Sequence, residues 1–475
     1  MVGLVNREDE QARLAELWGR PGPALGLIYG RRRVGKTYFL QHEREGRRYV
    51  YFLAAESSSL ENLEELLAQT RLSFPERPDI TRENYPSWRV ALRLLCELAA
   101  QERLLVVFDE FSYLVGVDPS LPSILQAVWD QDAQSSQIKL ILCGSEIGLL
   151  GALDDYGRPL HGRFDWVHTY RPLAYYDAAR FFVVGSPPIQ TYDRRDLLLL
   201  YGLLGGSGRY LAAVDPALSI GENIGRLVLD PQGTFHREGE NLIRQERDIR
   251  DYANYNAVLE AIARGATEWG EIANQAHLER HVVAGTLDRL RQLGWVAHEK
   301  PFEEPGRRGI YRLDDNFLKF WYRFVFHLRS ALQTVPPVIA WAELVEPHLS
   351  DYMGRYVFEG ICAQHLRRFG RGYGLPMLLD LGRWWSRPSD TEIDLVGKLA
   401  DGSYLVAECK WSRQPIDIQA LPALQQKLAS TPHGRWRAAP HFMLFSAAGF
   451  TPRLVEAARA EGAILVGPEE FLAGN

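Results

Sequence analysis

Eight residues, Gly30-Arg31-Arg32-Arg33-Val34-Gly35-Lys36-Thr37, follow the spacing G-x-x-x-x-G-K-[ST]. A loop of this kind turns backbone N–H groups inward around a β-phosphate, and Gly35 keeps the approach free of a side chain. Lys36 neutralises β- and γ-phosphate charge, and the Thr37 hydroxyl is a Mg²⁺ ligand. The expected nucleotide contacts are therefore Gly30, Arg31, Arg33, Val34, Gly35, Lys36 and Thr37. A second pair, Asp109-Glu110, closes the apolar run Leu104-Leu-Val-Val-Phe. There Asp109 can hold Mg²⁺ through water, and Glu110 can orient or deprotonate the attacking water. Two further residues are candidates around the γ-phosphate. Ser145 is either a phosphate sensor or a turn serine capping the next helix. Arg163 is either an arginine finger, in cis or from a neighbouring subunit, or a surface arginine.

A third constellation lies far downstream: Asp394, then Glu408-Cys409-Lys410. Residues two apart on a strand share a face, so Glu408 and Lys410 project together while Cys409 faces the core. The turn Ala400-Asp401-Gly402 decides whether Asp394 joins them. A three-residue loop with Gly402 in the left-handed conformation places Asp394 opposite Glu408; a two-residue turn places it opposite Cys409. In the first case Asp394 and Glu408, with Glu359 from an upstream helix, are carboxylate ligands for Mg²⁺. Lys410 would then orient or activate water and offset charge on a phosphate.

These groups need elements to hold them. Leu25 to Tyr29, Tyr49 to Leu53, Leu104 to Phe108, Ile138 to Cys143 and Trp166 to Tyr170 read as buried strands. Residues 175–250 read as helical segments. From Tyr255, three short helices carry Val258, Leu259, Ile262, Ala263, Val283, Leu287, Leu290 and Leu293 inward. They precede two strands, Trp295 to His298 and Gly309 to Leu313, the order of a winged helix-turn-helix. Its third helix offers Arg280, His281, Arg289 and Arg291 beside Glu279 and Asp288, and its wing offers Arg307-Arg308 to a DNA backbone. Phe317, Phe320, Trp321 and Phe324 form an aromatic stripe that reads as packing. Trp384, Trp385 and Trp411 read the same way, with base stacking as the alternative. The helix 355–369, the strands around Asp394 and Glu408, the helix 421–428 and the strand Phe442 to Phe445 complete an α/β unit.

The whole chain thus divides into 1–175, the P-loop domain; 176–250, a helical segment; 251–315, the winged helix-turn-helix; and 316–475, the α/β unit that carries Asp394, Glu408 and Lys410. A length of 475 residues allows roughly three domains of ordinary size. No apolar run approaches the length of a membrane span, and Met1 to Glu10 lacks the basic flank and apolar core of a signal peptide. Cys96, Cys143, Cys362 and Cys409 form no Cys-x-x-Cys pair, which argues against a zinc site and fits a reducing cytoplasm. The net charge of −6 does not advertise a nucleic-acid binder, although Arg31 to Arg33, Arg44 to Arg48, and Arg367-Arg368 with Arg371 are locally basic.

Asn6-Arg7-Glu8-Asp9-Glu10, the Gly30–Thr37 loop, Val107-Phe108-Asp109-Glu110-Phe111 and Cys143-Gly144-Ser145 together resemble the archaeal-type ATPases of the AAA+/STAND group. That group carries Gly-Gly-x-Pro-x-Tyr-Leu in its lid; Gly205-Gly206-Ser207-Gly208-Arg209-Tyr210-Leu211 lacks the proline, leaving Arg209 as a candidate phosphate sensor. The Asp394…Glu408-x-Lys410 segment resembles the PD-(D/E)xK nuclease superfamily, and the C-terminal domain of the same ATPases has this look. The resemblance implies an α/β ASCE-type ATPase using ATP and Mg²⁺ that controls a Mg²⁺-dependent DNA endonuclease-like domain. The alternative is an ATPase switch whose nuclease-like domain is an inactive DNA- or protein-binding module. DNA is the expected partner, with homo-oligomers in prospect and no membrane.

Overall fold

A run of Leu, Ile, Val and Phe with no polar face has only one stable place as a strand, inside a sheet covered on both sides. Three such runs, β1 (Ala24–Tyr29), β3 (Leu104–Asp109) and β4 (Ile138–Gly144), make the centre of a sheet whose partly exposed edges are β2 (Tyr49–Leu53) and β5 (Trp166–Thr169). They form one parallel sheet in the order β2-β3-β4-β1-β5. Alternation splits the burial between the two faces. Leu25, Leu27, Val106, Phe108, Leu140 and Leu142 enter one core, and Ile28, Leu105, Val107, Ile141 and Cys143 enter the other with Phe39 and Leu40. Because the strands are parallel, the loops after β1, β3 and β4 all leave from the same edge, the place where open α/β sheets bind ligands.

This computed structural model describes residues 4–182, 192–246, 249–304, 306, 309–386 and 391–472. They form two compact units: residues 1–172 with 207–209, and residues 173–206 with 210–475. No helix among the described residues is long and apolar enough to cross a membrane.

The second unit opens with short helices, Tyr175–Arg180, Arg194–Leu204, Ile220–Ile224 and Glu238–Arg244 among them. Helices Tyr252–Ala263, Trp269–Ala276 and Arg280–Gln292 follow, then β6 (Val296–Glu299) and β7 (Ile310–Leu313), paired antiparallel. All eight residues expected inward on these helices are buried, as is the Phe317-Phe320-Trp321-Phe324 stripe, which packs in the unit's core. Arg307 and Arg308 lie outside the described residues.

A second sheet runs β12-β11-β10-β9-β8, from β8 (Leu378–Ser386), β9 (Thr391–Leu399), β10 (Tyr404–Lys410), β11 (His441–Ser446) and β12 (Ile464–Val466). β8, β9 and β10 are antiparallel, whereas β10, β11 and β12 are parallel. The helix Ala420–Ser430 crosses over between β10 and β11. The helix read as 355–369 is regular only over Phe358–Phe369, the preceding turn Met353–Val357 being π-helical. β8 was absent from the sequence reading: it has register shifts at Leu378/Asp380 and Gly382/Trp384, and such bulges erase the alternation that marks a strand.

Candidate functional sites

Two backbone demands explain the glycines of the first loop. A Cβ on Gly30 would lie 2.1 Å from the Tyr170 carbonyl oxygen, and Gly35 has φ +103°. Arg33 also adopts positive φ, +69°, and its carbonyl accepts a hydrogen bond from Ser207 Oγ at 2.7 Å. Lys36 is buried and donates from Nζ to the carbonyls of Gly30 and Arg31 at 2.6 and 2.9 Å. Burial lowers its pKa, with nearby Cys143, Glu110 and Asp109 opposing that shift. The cradle therefore encloses its cation. Val34 is buried beside it.

Asp109 ends β3 at 1% exposure. Its Oδ2 accepts from Thr37 Oγ1 at 2.7 Å and from Tyr51 OH at 2.6 Å. Its Oδ1 accepts the Glu110 N–H at 2.9 Å. A hydroxyl and a carboxylate this close are the hard oxygen donors Mg²⁺ requires, so the pair fits that ion. Glu110 follows in the left-handed region, φ +53°, an unusual conformation for a side-chain-bearing residue that accompanies sites where orientation matters. Its carboxylate accepts from Ser145 Oγ at 3.0 Å, and Arg32 Nη1 stands 3.9 Å from it.

Ser145 thus serves the carboxylate rather than a helix cap; the helix Ile147–Gly151 begins after Glu146. Arg163 is partly exposed. It is paired with both oxygens of Asp130, at 2.8 and 2.7 Å, and also donates to the Pro159 and His161 carbonyls. A guanidinium clamped on two carboxylate oxygens is held on the surface of its own unit. The arginine that faces Glu110 is Arg32. Arg209 is exposed.

In the second sheet the register decides the site. Ala400, Asp401 and Gly402 form a three-residue turn, with Gly402 at φ +87° and Leu399 N–H donating to Ser403 O at 3.0 Å. Tyr404 faces Lys398, and the ladder continues to Ala407 facing Leu395. The next step sets Glu408 against Asp394. Asp394 is buried, and its Oδ2 accepts the Cys409 N–H at 2.7 Å.

The carboxylate set nevertheless differs from the expected Glu359, Asp394 and Glu408. Among the described residues, the three acidic side chains whose oxygens lie within 4.8 Å of one another are Glu359, Glu392 and Asp394. Glu408 is drawn instead to Lys427, at 2.9 and 2.7 Å, and to Lys410 at 2.5 Å. Like charges on Glu359, Glu392 and Asp394 repel the Glu408 carboxylate and the two ammonium groups attract it, which is the physical reason for the departure. Glu392 was visible in the sequence, two residues before Asp394 and so on its face. Arg383 closes the cluster, 2.7 Å from Glu359 and 3.1 Å from Glu392, and Arg312 lies 3.5 Å from Glu359. A cleft of about 820 Å³ opens over these residues, lined also by Arg264, Tyr311, Trp385, Lys410 and Trp411.

Burial pushes the Asp394 carboxyl up to about 7, with Glu408 and Glu359 adding to the shift. A folded-state value above the unfolded one favours folding at acid pH, and that advantage is lost as pH rises from the ordinary carboxylate range through 7. Asp394→Asn keeps an acceptor for Cys409 and removes the charge. In EDTA it should stabilise the protein by about 2–4 kcal/mol at pH 8, a gain that fades toward pH 5. Denaturant titrations at both pH values check this.

Beside this site, the segment after β6 enters the second sheet's core. Phe302 packs against Trp436, ring centroids 6.0 Å apart. Glu303, at φ +57°, accepts from Tyr404 OH at 3.0 Å and Trp436 Nε1 at 2.9 Å, and pairs with Arg435 at 2.6 Å. Glu304 accepts from Trp384 Nε1 at 2.9 Å and lies 2.7 Å from His433 Nε2. Trp384, 1% exposed, is therefore a packing residue. The β6–β7 hairpin is plugged into the second sheet by an aromatic ring and two carboxylates.

With this geometry in view, residues 4–214 match the family described as an ATPase domain predominantly from Archaea. Residues 321–421 match the family described as archaeal and bacterial proteins of unknown function. An uncharacterized protein of Methanocaldococcus jannaschii is 27% identical over 413 residues, 86% of this chain and 87% of that protein. The Walker-type ATPase of Pyrococcus abyssi is similar in fold, with a TM-score of 0.50 and 20% identity over 67% of this chain and 96% of that one. The Aeropyrum pernix ORC2 protein, solved as ADPNP–ADP complexes, aligns with a TM-score of 0.45 and 15% identity, over 70% of this chain and 94% of its own. Residues 4–214 thus match an ATPase-domain family and have the α/β P-loop ATPase fold with a parallel sheet.

Proposed function

We propose that this protein binds and hydrolyses ATP with Mg²⁺ at the first unit and uses that cycle to control a Mg²⁺-dependent, DNA-cleaving site in the second. Lys36 holds the β- and γ-phosphates, Thr37 and Asp109 hold the metal, and Glu110 takes the proton of the attacking water. Ser145 holds the Glu110 carboxylate through its hydroxyl. When bound, Mg²⁺ supplies charge neutralisation at the phosphates.

Residues 176–250 act as the lid and 251–315 as a winged helix-turn-helix. Residues 316–475 act as the nuclease-like domain. The observation that carries the nuclease reading is the turn register, which brings Asp394 opposite Glu408 with Lys410 on the same face. Asp394, Glu359 and Glu392 would hold the metal there, and Lys410 would meet the scissile phosphate. DNA is the substrate proposed for the cleft, and oligomers form through surfaces of the ATPase unit.

A second reading has its own observation. Arg383 and Arg312 already neutralise the carboxylates, and Lys427 holds Glu408. An acidic cluster supplied with internal counter-charges has less need of a metal, which favours a DNA- or protein-binding module.

One assay separates the two. Supercoiled plasmid and single-stranded DNA are incubated with Mg²⁺ or Mn²⁺, with and without ATP, beside Lys36→Ala and Lys410→Ala proteins, while ATP hydrolysis is followed in the same tubes. Cutting that Lys410→Ala abolishes, and that ATP alters only when Lys36 is intact, supports the ATP-controlled nuclease. Lys36-dependent ATP hydrolysis with no cutting above the Lys410→Ala background establishes the binding module instead.

A further inference from the structure

Tyr51 lies on β2, at the edge of the first sheet, next to β3. The parallel register pairs Leu53 with Asp109 and Tyr51 with Val107. Tyr51 therefore stands two residues short of the carboxylate along the strand, on the face that carries Tyr49 and Leu53. A phenol spans that offset: its hydroxyl donates to Asp109 Oδ2 at 2.6 Å.

The ring has little freedom to do anything else. Tyr49 stacks on it, with centroids 6.1 Å apart and 15° between planes, and the Tyr49 hydroxyl donates to the Leu40 carbonyl at 3.4 Å. Leu40 is on the helix Lys36–His42 that leaves the phosphate loop. Both tyrosines pack against the core that contains Val34, Phe39 and Leu40.

Asp109 Oδ2 thus accepts two hydroxyls, and they differ in what nucleotide would do to them. Thr37 is the hydroxyl that a metal would recruit, which removes it from Asp109. Tyr51 has no such second partner and stays. In this buried carboxylate the Glu110 N–H continues to hold Oδ1, and the Tyr51 hydroxyl is what continues to hold Oδ2.

We infer that Tyr51 is a positioning residue for the metal: its hydroxyl holds the Asp109 carboxylate aimed at the Mg²⁺ place when Thr37 turns from Asp109 to the ion. This rests on the reading of Thr37 and Asp109 as the metal-holding pair. Nucleotide affinity in EDTA does not depend on the Tyr51 hydroxyl, whereas divalent-ion affinity in the nucleotide complex does.

The test uses the full chain loaded with ADP. Free and bound Mn²⁺ are read by electron paramagnetic resonance, and nucleotide affinity in EDTA is read by fluorescence of a labelled ADP. Tyr51→Phe, which keeps the ring and its stacking, should weaken Mn²⁺ binding roughly 10-fold, the scale of one hydrogen bond to a charged acceptor. ADP affinity in EDTA should match the parent protein. Tyr49→Phe keeps the stack without touching Asp109 and should leave Mn²⁺ affinity unchanged. Equal Mn²⁺ affinity in Tyr51→Phe and parent overturns the inference, as does an equal loss in Tyr49→Phe, which would mark a general loosening of the sheet edge. Thr37→Ala reports on the underlying reading separately: unchanged Mn²⁺ affinity in that protein removes the metal-holding pair, and the inference falls with it.

Discussion

Glu110→Gln should leave nucleotide binding intact while lowering ATP turnover by at least about 100-fold, the lower end of what a positioned general base contributes. The substitution is close to isosteric and keeps an acceptor for Ser145 Oγ, which reaches the carboxylate at 3.0 Å. It removes the negative charge that faces Arg32, and with it the capacity to accept a proton. Lys36 and the Thr37–Asp109 pair are untouched, so labelled-nucleotide affinity should stay within about 2-fold of the parent, inside the range of ordinary surface effects. Turnover measured alongside that affinity separates the two properties. A Glu110→Gln protein that hydrolyses ATP at the parent rate would move the base elsewhere, and the αL conformation of Glu110 would then need another explanation.

Phe302→Ala should cost about 3–5 kcal/mol of folding stability, the range for removing a well-packed core phenylalanine. The ring is 5% exposed and shares a core with Trp384, Val406, Leu424 and Trp436. It is delivered from the loop after β6, outside the sheet it fills. Its loss empties a space bounded by two tryptophans that also donate to Glu303 and Glu304, and neither neighbour can collapse into it without breaking those bonds. Urea unfolding followed by tryptophan fluorescence reads the change. A loss under about 1 kcal/mol, typical of an exposed site, would mean that the hairpin only rests against the sheet.

How legible these features were depended on how many residues apart their parts lie. The phosphate loop is eight consecutive residues, and its chemistry is written in their order. The strands beneath it were readable because parallel strands are apolar on both faces and need no alternation to be recognised. The three helices before β6 were readable from their inward periodicity. Ser145 and Glu110 are 35 residues apart, and only the neighbouring positions of β3 and β4 in the sheet bring them together. Tyr51 and Asp109 depend in the same way on β2 lying beside β3. β8 escaped because its bulges disrupt the two-residue period, and with it went Arg383, whose ion pairs change the meaning of the acidic cluster. Glu392 was missed although its face was evident, because an Asp…Glu-x-Lys pattern directs attention to Glu408. Phe302, Glu303 and Glu304 stand in the stretch between β6 and β7; nothing in a single strand of text reveals that such a stretch is buried in another element's core.

The turn at Ala400, Asp401 and Gly402 has a consequence for how this chain can change over time. Hairpin tips ordinarily tolerate the gain or loss of a residue, since they touch only solvent. Here the ladder on either side reads with a period of two, so a single-codon deletion at the tip keeps Asp394 opposite Glu408 only if the turn closes as a two-residue one; a turn that stayed three residues long would slip the register and carry Asp394 out of line with Glu408. Length and turn type at this tip can therefore change only together. A short, exposed and chemically plain turn is thereby tied to the alignment of the buried residues it joins.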